Sequence, residues 1–254
     1  MSVAMSSVRE ASDGVSPPNG LFDADRQRRG NQTALHNDLQ ALDQFSLRIR
    51  FSRNETIFNE GDYAGHAYKV ISGMVRLCKH TQDGRRQIAD FLLEGNFFGI
   101  MDRVEYGFSA EAVTDVVLIA YPCNQIARLS ATKPGVVSRI FAVLNDQFQS
   151  MQRHLVVLGC QNAKERVASF LLHLADRSCV PGQRLDLPMG RQDIASHLGL
   201  TIETVCRALG ELKREKAVII PNLNQIILQD IEALRALAEG KHRGEGASAT
   251  PGLT

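Results

Sequence analysis

The sequence predicts an α+β protein in which an N-terminal β-roll of the jelly-roll type leads into one long helix and then into a smaller, mostly helical domain. Three observations predict this fold. Short runs rich in β-branched and aromatic residues fill residues 45–122, a heptad pattern fills residues 134–159, and two short helical patterns precede a hairpin pattern near residues 190–229. The boundaries that follow are a disordered tail over 1–33, the roll over 34–132, the long helix over 133–159, the C-terminal domain over 160–238 and a second disordered tail over 239–254.

Composition and charge exclude several classes of protein. Hydrophobic residues make up 44% of the 254 residues and charged residues 22%, as in an ordinary soluble globular protein. We expect a cytoplasmic protein with no place in a membrane, because no apolar run could span a bilayer and no secretory signal opens the chain. The net charge is only +1, and residues 161–254 carry twelve Lys or Arg against eleven Asp or Glu. A prediction of nucleic-acid binding must therefore rest on local pattern.

The cysteines predict neither a disulfide framework nor a zinc site. They are odd in number and lack paired spacing: Cys78, Cys123, Cys160, Cys179 and Cys206. We therefore expect no metal and no cofactor. Cys78 and Cys123 fall in strand-like surroundings, where we expect them to be buried.

Turn residues at regular spacing support the roll. The runs are punctuated every eleven or twelve residues by Gly61, Gly73, Gly84 and Gly95, and Asp83-Gly84 predicts a hairpin. Residues 1–33 and 239–254 are instead rich in small and polar residues without an apolar period, which is typical of disordered tails.

A heptad seam predicts that the long helix dimerises. Pro134 suits its first turn and Gly159 the position just past its end. Seven apolar residues between them alternate spacings of four and three: Val137, Phe141, Leu144, Phe148, Met151, Leu155 and Leu158. Alternatively, the helix packs only on its own barrel, and Ile140 and Val143 widen the apolar stripe enough for that role. The strict seam favours a dimer.

The segment over 190–229 predicts a winged helix-turn-helix, after an amphipathic helix over 162–176. Ile194, Ala195 and Leu198 would form the buried edge of its first helix, Gly199 the turn, and Thr201 the cap of its second helix. The second helix would pack through Val205, Ala208, Leu209 and Leu212. The runs AVII and QIILQ flank PNLN, which predicts the hairpin called the wing.

The free face of the second helix carries side chains suited to DNA. The predicted base-reading residues are Glu203, Cys206 and Arg207, because arginine can donate two hydrogen bonds to guanine and glutamate can accept one from cytosine N4. The predicted contacts to the DNA backbone are Arg191, Thr201, Thr204, Lys213 and Arg214. The alternative is that Glu203 and Arg207 form only a surface ion pair.

At LGLTIETVCRAL the sequence resembles the Crp/Fnr superfamily of bacterial transcription regulators, and most closely its FixK-type members. The resemblance covers residues 40–235 and implies a roll similar to a cyclic-nucleotide-binding domain. In the Fnr and FixK pattern, Glu, Ser and Arg stand at the spacing of Glu203, Cys206 and Arg207, which implies a TTGA half-site paired with TCAA across six base pairs. Ile202 stands where the cyclic-AMP receptor branch carries an arginine, so that branch's half-site is not expected.

The same resemblance implies a set of partners and a biological role. The partners are double-stranded DNA with a palindromic site, RNA polymerase and a second copy of the chain. The implied role is activation of microaerobic, anaerobic, denitrification or nitrogen-fixation genes.

The effector pocket departs from the family's sensors. Cyclic-nucleotide receptors carry a Glu and an Arg-Ser pair where this sequence has Ile100 and Phe108-Ser109, so cyclic AMP is not expected. The Fnr iron–sulfur cluster is not expected either, because residues 1–77 contain no cysteine. Two alternatives remain open: haem held by His66, His80 or His154, and a small molecule in an apolar pocket around Phe97, Phe98 and Phe108.

Cys206 stands where the family pattern has serine, and three interpretations compete. Its sulfur packs as a small apolar group, touches a thymine methyl, or acts as a redox brake whose oxidation weakens DNA binding. Cys179 is a second redox candidate. We do not expect an enzyme, because the sequence has no P-loop, dinucleotide fingerprint, nucleophile elbow or metal-ligand spacing, and the roll lacks the clustered ligands of a cupin.

Overall fold

The computed structural model describes residues 20–81, 86–100, 104–177 and 184–240, with side chains from residue 27 onward. The roll consists of two four-stranded antiparallel sheets. The first has the order β1 (Leu47–Phe51), β8 (Val116–Pro122), β3 (His66–Ser72) and β6 (Phe97–Phe98). The second has the order β2 (Thr56–Phe58), β7 (Ser109–Ala112), β4 (Val75–His80) and β5 (Arg86–Leu92). The predicted roll is confirmed.

Alternation along the central strands places apolar side chains on both faces of the first sheet. Val116, Leu118 and Ala120 of β8 are buried in the core between the two sheets. Ile119 and Tyr121 point the other way and pack under the helices.

Glycine is needed at the turn between β3 and β4. Gly73 has φ +87°, and a Cβ there would overlap the carbonyl oxygen of Asp115. The next turn joins β4 to β5, which pair antiparallel with His80 opposite Arg86, as the hairpin prediction requires. Asp83 and Gly84 themselves lie outside the described residues.

The predicted disorder of residues 20–33 is wrong, because a helix begins there. α1 (Gly20–Leu39) is followed by a 3₁₀ helix (Gln40–Phe45), so the expected boundary between residues 33 and 34 falls inside α1. Its buried residues recur at helical spacing: Arg28, Gln32, Leu35 and Leu39. The polar members of this stripe have partners elsewhere in the chain, which the local sequence does not show. Residues 1–19, which were also predicted to be disordered, lie outside the described residues.

Two helices connect the roll to the C-terminal domain. α2 (Cys123–Thr132) was not predicted; Cys123 begins it and is half-buried, so the expectation of a buried strand cysteine is wrong there. Cys78, by contrast, is fully buried in β4. α3 (Pro134–Cys160) begins as predicted but includes Gly159 in its last turn.

The predicted end of α3 was wrong because an arginine side chain, rather than a glycine turn, donates hydrogen bonds to its last carbonyl oxygens. Arg166 donates from Nη2 to the carbonyl oxygen of Leu158 at 2.8 Å and from Nε to that of Gln161 at 2.9 Å. These bonds satisfy acceptors that a helix end otherwise leaves open.

The C-terminal domain begins with α4 (Ala163–Arg177), close to the predicted helix over 162–176. It continues with β9 (Arg184–Asp186), α5 (Arg191–Leu198), α6 (Ile202–Arg214), β10 (Val218–Asn222), β11 (Gln225–Leu228) and α7 (Ile231–Ala238). Its three strands form one antiparallel sheet in the order β10-β11-β9. None of the helices in the described ranges has the length and apolarity to cross a bilayer. Of the predicted tail over 239–254, residues 241–254 lie outside the described residues.

Candidate DNA-binding surface

α5 and α6 form the predicted helix-turn-helix. Gly199 ends α5 in the left-handed conformation with φ +62°, and Thr201 caps α6 by accepting a hydrogen bond from the backbone N–H of Thr204 at 3.3 Å. The inner faces of the two helices are buried as expected: Ile194, Ala195 and Leu198 on α5, and Val205, Ala208, Leu209 and Leu212 on α6.

The opposite face of α6 is free. Its exposed residues are Glu203, Cys206, Arg207, Gly210, Lys213 and Arg214. The structure therefore brings the three predicted base-reading side chains together on one face, with two basic residues in the last turn. A face of this kind matches the size and chemistry of the major groove.

Glu203 is held by the start of its own helix. Its carboxylate accepts hydrogen bonds from its own backbone N–H and from the hydroxyl of Thr201, and these bonds lower its pKa below the ordinary value. In the described part of the chain no ion pair joins Glu203 to Arg207, so the surface-pair alternative has no support in the geometry. The ionised carboxylate of Glu203 can therefore accept hydrogen bonds, and the guanidinium of Arg207 can donate them, without each other's charge as a partner.

Arg191, at the first turn of α5, is half-buried beside Cys206. Burial lowers the pKa of its guanidinium, and the charge of Cys206 opposes that shift. Its buried Nη1 has no hydrogen-bond partner among the described residues. An unpaired guanidinium nitrogen at the start of this helix fits the predicted contact to a DNA phosphate.

The helix-turn-helix is tied to the roll by charges that sequence reasoning missed. Asp193 of α5 is buried and accepts from Arg76 Nη1 at 3.0 Å and from Arg86 Nη2. Both arginines also contact Glu111 on β7. Local pattern gives no signal for this network, because its members come from β4, β5, β7 and α5.

A histidine contact and an arginine fix the same helix from its other sides. The ring of His197 stacks on that of His154 from α3 at a centroid distance of 4.2 Å, and its Nδ1 lies 3.2 Å from the carbonyl oxygen of Ile88. Burial lowers the pKa of His197 to about 4. Arg166 donates from Nη1 to the carbonyl oxygen of Leu198 at 3.0 Å, which links the turn to the end of α3.

α3 has two apolar faces with different partners. One face packs inside the chain through Val136 and Val143, which are buried, and through Gln147, whose Nε2 donates to the carbonyl oxygen of Phe97 at 2.8 Å. The other face is the predicted seam, and six of its seven residues are exposed: Val137, Phe141, Leu144, Phe148, Met151 and Leu155, with Leu158 half-buried. Packing of α3 on its own roll is therefore confirmed on one face, while the seam on the other face is exposed in the single chain and dimerisation through it stays a prediction.

Both domains of this architecture match families of known proteins. Residues 48–133 match the family model of the cyclic nucleotide-binding domain, and residues 165–237 match that of the Crp-like helix-turn-helix domain. The chain is 41% identical over 191 residues to the nitrogen fixation regulation protein FixK of Azorhizobium caulinodans, covering 74% of this chain and 77% of that protein. It is 36% identical to FixK of Bradyrhizobium diazoefficiens, covering 87% of this chain and 95% of that protein. The chain belongs to the Crp/Fnr family of transcription regulators.

A solved structure supports the same assignment. FixK2 from Bradyrhizobium japonicum aligns with a TM-score of 0.73 at 32% identity, covering 80% of this chain and 99% of that one. As a FixK-type member of the Crp/Fnr family, the chain is a DNA-binding transcription regulator, and its relatives are regulators, not enzymes.

The core of the roll contains a cluster of stacked aromatic rings. Phe58 stacks on Tyr106 at a centroid distance of 3.7 Å and on Tyr68 at 5.7 Å, and Phe98 stacks on Tyr68 at 5.2 Å. The three phenylalanines of the alternative apolar pocket, Phe97, Phe98 and Phe108, do not lie in one cluster. Phe98 lies in this aromatic core, while Phe97 is a strand neighbour that points to the opposite face.

The remaining sensor candidates lie on separate elements. Phe108 is half-buried under the ammonium group of Lys79 at 5.7 Å. His66 is on β3, His80 on β4, and His154 on α3 stacked against His197. Cys206 and Cys160 are exposed thiols, and Cys179 lies outside the described residues.

Proposed function

We propose that this regulator binds DNA as a homodimer at a TTGA-N6-TCAA-like palindrome and needs no small-molecule effector. It would recruit RNA polymerase to activate microaerobic, anaerobic, denitrification or nitrogen-fixation genes. The observation that carries the proposal is that the same chain has both an exposed α6 face suited to DNA and an exposed apolar seam on α3. The names of the FixK relatives support the class of target genes. Because its target is the bacterial chromosome, the protein would act in the cytoplasm.

The seam supports the dimer. Phe141 is 71% exposed, Leu155 63% and Phe148 58%, which is a large apolar stripe for a surface helix to leave in water. From Val137 to Leu158 the stripe is roughly 32 Å long at 1.5 Å per residue. A second α3 with the same heptad spacing would cover it through knobs-into-holes packing.

The two-fold symmetry of such a dimer supports a palindromic site. Four-base half-sites separated by six base pairs lie about 10 base pairs apart, which is one turn of the duplex and places both on the same side. Glu203 and Arg207 of each protomer would then face a cytosine amino group and a guanine edge in one half-site. Arg191, Thr201, Thr204, Lys213 and Arg214 would hold the phosphates.

The aromatic core of the roll supports action without an effector. Phe58, Tyr68, Phe98 and Tyr106 pack against one another in the core between the two sheets. Ile100 and Phe108 offer no carboxylate or guanidinium where the cyclic-nucleotide receptors have them.

Cys206 supports control by thiol oxidation. The side chain is exposed on the reading face, beside the charge of Arg191. Peroxide would transfer one oxygen to the sulfur and leave as water, giving a sulfenic acid. The added oxygen would stand between α6 and the bases and would weaken binding.

Fluorescence-anisotropy titration of a TTGA-N6-TCAA duplex tests the proposal. The reduced protein, with no effector added, should bind it tightly, and a duplex with scrambled half-sites should bind weakly. After peroxide the wild type should lose affinity and Cys206→Ser should keep it. Cys160→Ser, which removes the other thiol that is exposed among the described residues, should behave as wild type.

Two results would contradict parts of the proposal. Equal affinity of wild type before and after peroxide would remove the redox brake and leave Cys206 as a packing or base contact. Binding that appears only when a small molecule is added would refute action without an effector and favour a ligand- or haem-gated sensor.

A further inference from the structure

Strand pairing brings three metal-ligating side chains to one place in the roll. Cys78 and His80 alternate along β4 and so share a face, and Glu111 on the neighbouring strand β7 pairs opposite Arg76, two residues from Cys78. The cysteine sulfur, a histidine ring nitrogen and a glutamate oxygen all lie within 4.8 Å of one another. Nothing in the family assignment or the proposed function uses this cluster.

We propose that Cys78, His80 and Glu111 bind a thiophilic divalent ion of the Zn²⁺ type, with water in a fourth position. One thiolate, one imidazole and one carboxylate form a ligand set that Zn²⁺ accepts, whereas Mg²⁺ and Ca²⁺ require oxygen ligands. Bond lengths of roughly 2.0–2.3 Å place the ligand atoms of a tetrahedral site about 3.3–3.7 Å apart. The cluster therefore needs to close by on the order of 1 Å, which rotation of the exposed His80 side chain can supply.

The arginines beside the cluster leave room for the ion. Arg76 donates to Oε2 of Glu111 from Nε at 2.8 Å and from Nη2 at 2.7 Å, and Arg86 Nη1 lies 3.4 Å from the same atom. All three contacts fall on one carboxylate oxygen, so these two arginines leave Oε1 as the oxygen that could bind an ion. Access is from the side of His80, which is exposed, while Cys78 forms the buried floor.

The charges around the cluster set how tightly the site can bind. Arg76 and Arg86 balance Glu111 and Asp193, so a divalent ion with one thiolate adds a single positive charge to a balanced group. Burial, and then Glu111, raise the pKa of the Cys78 thiol to about 12, so its proton leaves to solvent as the metal binds. Binding should therefore be weaker than in closed four-cysteine sites. Since both arginines also hold Asp193 of α5, the ion would lie beside the contact between the roll and the helix-turn-helix.

The sequence did not show this site because its third ligand comes from another strand. The expectation of no metal rested on the spacing of cysteines, and Glu111 is brought to Cys78 only by the pairing of β4 with β7.

Cobalt substitution tests the site in the full chain. The starting protein keeps Cys78 and has Cys123, Cys160, Cys179 and Cys206 replaced by serine. It should bind one Co²⁺ per chain with a thiolate-to-cobalt charge-transfer band, and Zn²⁺ should remove that band. In this background Cys78→Ser should abolish the band, and His80→Asn should raise the dissociation constant at least tenfold. His66→Asn, at a histidine on β3, is the matched control and should change neither.

A loss of metal binding counts only if the variant is folded. Circular dichroism first establishes that each variant is folded, and His80 is exposed, so its replacement removes no buried contact. Absence of the band in the starting protein, or equal affinities for His80→Asn and His66→Asn, would show that the three side chains do not form a metal site.

Discussion

The exposed seam of α3 allows the strength of the proposed dimer to be tested at one residue. In the single chain 71% of Phe141 is exposed. Complete burial of such a side chain contributes about 1.5–3 kcal/mol, so covering this exposed part contributes roughly 1–2 kcal/mol in each protomer. Each dimer contains two copies. Phe141→Ala should therefore weaken dimerisation by about 2–4 kcal/mol and raise the dissociation constant roughly 30- to 900-fold.

Sedimentation velocity over a dilution series measures this change. The matched control is Gln149→Ala, an exposed position of the same helix that lies off the seam, and its dissociation constant should equal that of wild type. A dimer as strong in Phe141→Ala as in the control would refute the seam as the dimer contact. So would a wild-type chain that stays monomeric at every concentration.

Three further predictions concern the contact between the roll and the helix-turn-helix and the stability of α6. Asp193→Asn removes one of the two carboxylates that hold Arg76 and Arg86, so Glu111 alone must balance both charges, and the free energy of unfolding in urea should fall by about 3–5 kcal/mol. Glu232→Gln, at an exposed pair, should lower it by about 1 kcal/mol or less, and equal losses would contradict a buried network. Burial depresses the pKa of His197 from 6.5 to about 4, so the stability that its neutral ring contributes is complete above pH 6.5 and is lost as pH falls towards 4. Between pH 7 and pH 5 the free energy of unfolding in urea should therefore fall less in His197→Asn than in wild type, and identical falls would contradict this assignment. Gly210 lies inside α6 with open space around it, so Gly210→Ala should raise the free energy of unfolding by about 1 kcal/mol and with it the melting temperature. A lower melting temperature would show that the new Cβ meets an obstacle.

The helix-turn-helix could be predicted closely because its signals are local. The αL glycine at 199, the capping hydroxyl of Thr201 and the 3.6-residue apolar period all lie within one stretch of chain. The free face of α6 follows from the same period, so Glu203, Cys206 and Arg207 could be grouped from sequence alone.

The parts that were wrong depend on partners far away in sequence. α1 carries Arg28 and Gln32 on its buried stripe, and Arg28 is accommodated by Ser150 of α3 at 3.3 Å and by Asp90 of β5 at 3.7 Å. Local composition indicates disorder there, because it does not show the distant partners whose hydrogen bonds and charges offset the desolvation cost of burying these groups. The same limit hid Asp193, whose arginines come from β4 and β5.

The alternative of one apolar pocket around Phe97, Phe98 and Phe108 does not match the geometry of β6. Phe97 and Phe98 are adjacent in a strand, and adjacent strand residues point to opposite faces, so they could not line one cavity. The alternation of side chains along a strand predicts that only one of these two residues faces the core between the sheets.

The most direct measurement of the central claim, that α6 reads the half-site through Arg207, is a comparison of affinities for two duplexes by fluorescence anisotropy. One duplex carries TTGA-N6-TCAA, and the other has the G·C pair of each half-site replaced by A·T. We expect wild type to prefer the first by about 2–6 kcal/mol over two half-sites, and Arg207→Ala to lose most of that preference. Lys213→Ala should weaken both duplexes alike and keep the preference, because a phosphate contact carries no sequence information. Retention of the full preference in Arg207→Ala would show that α6 does not read the half-site through Arg207.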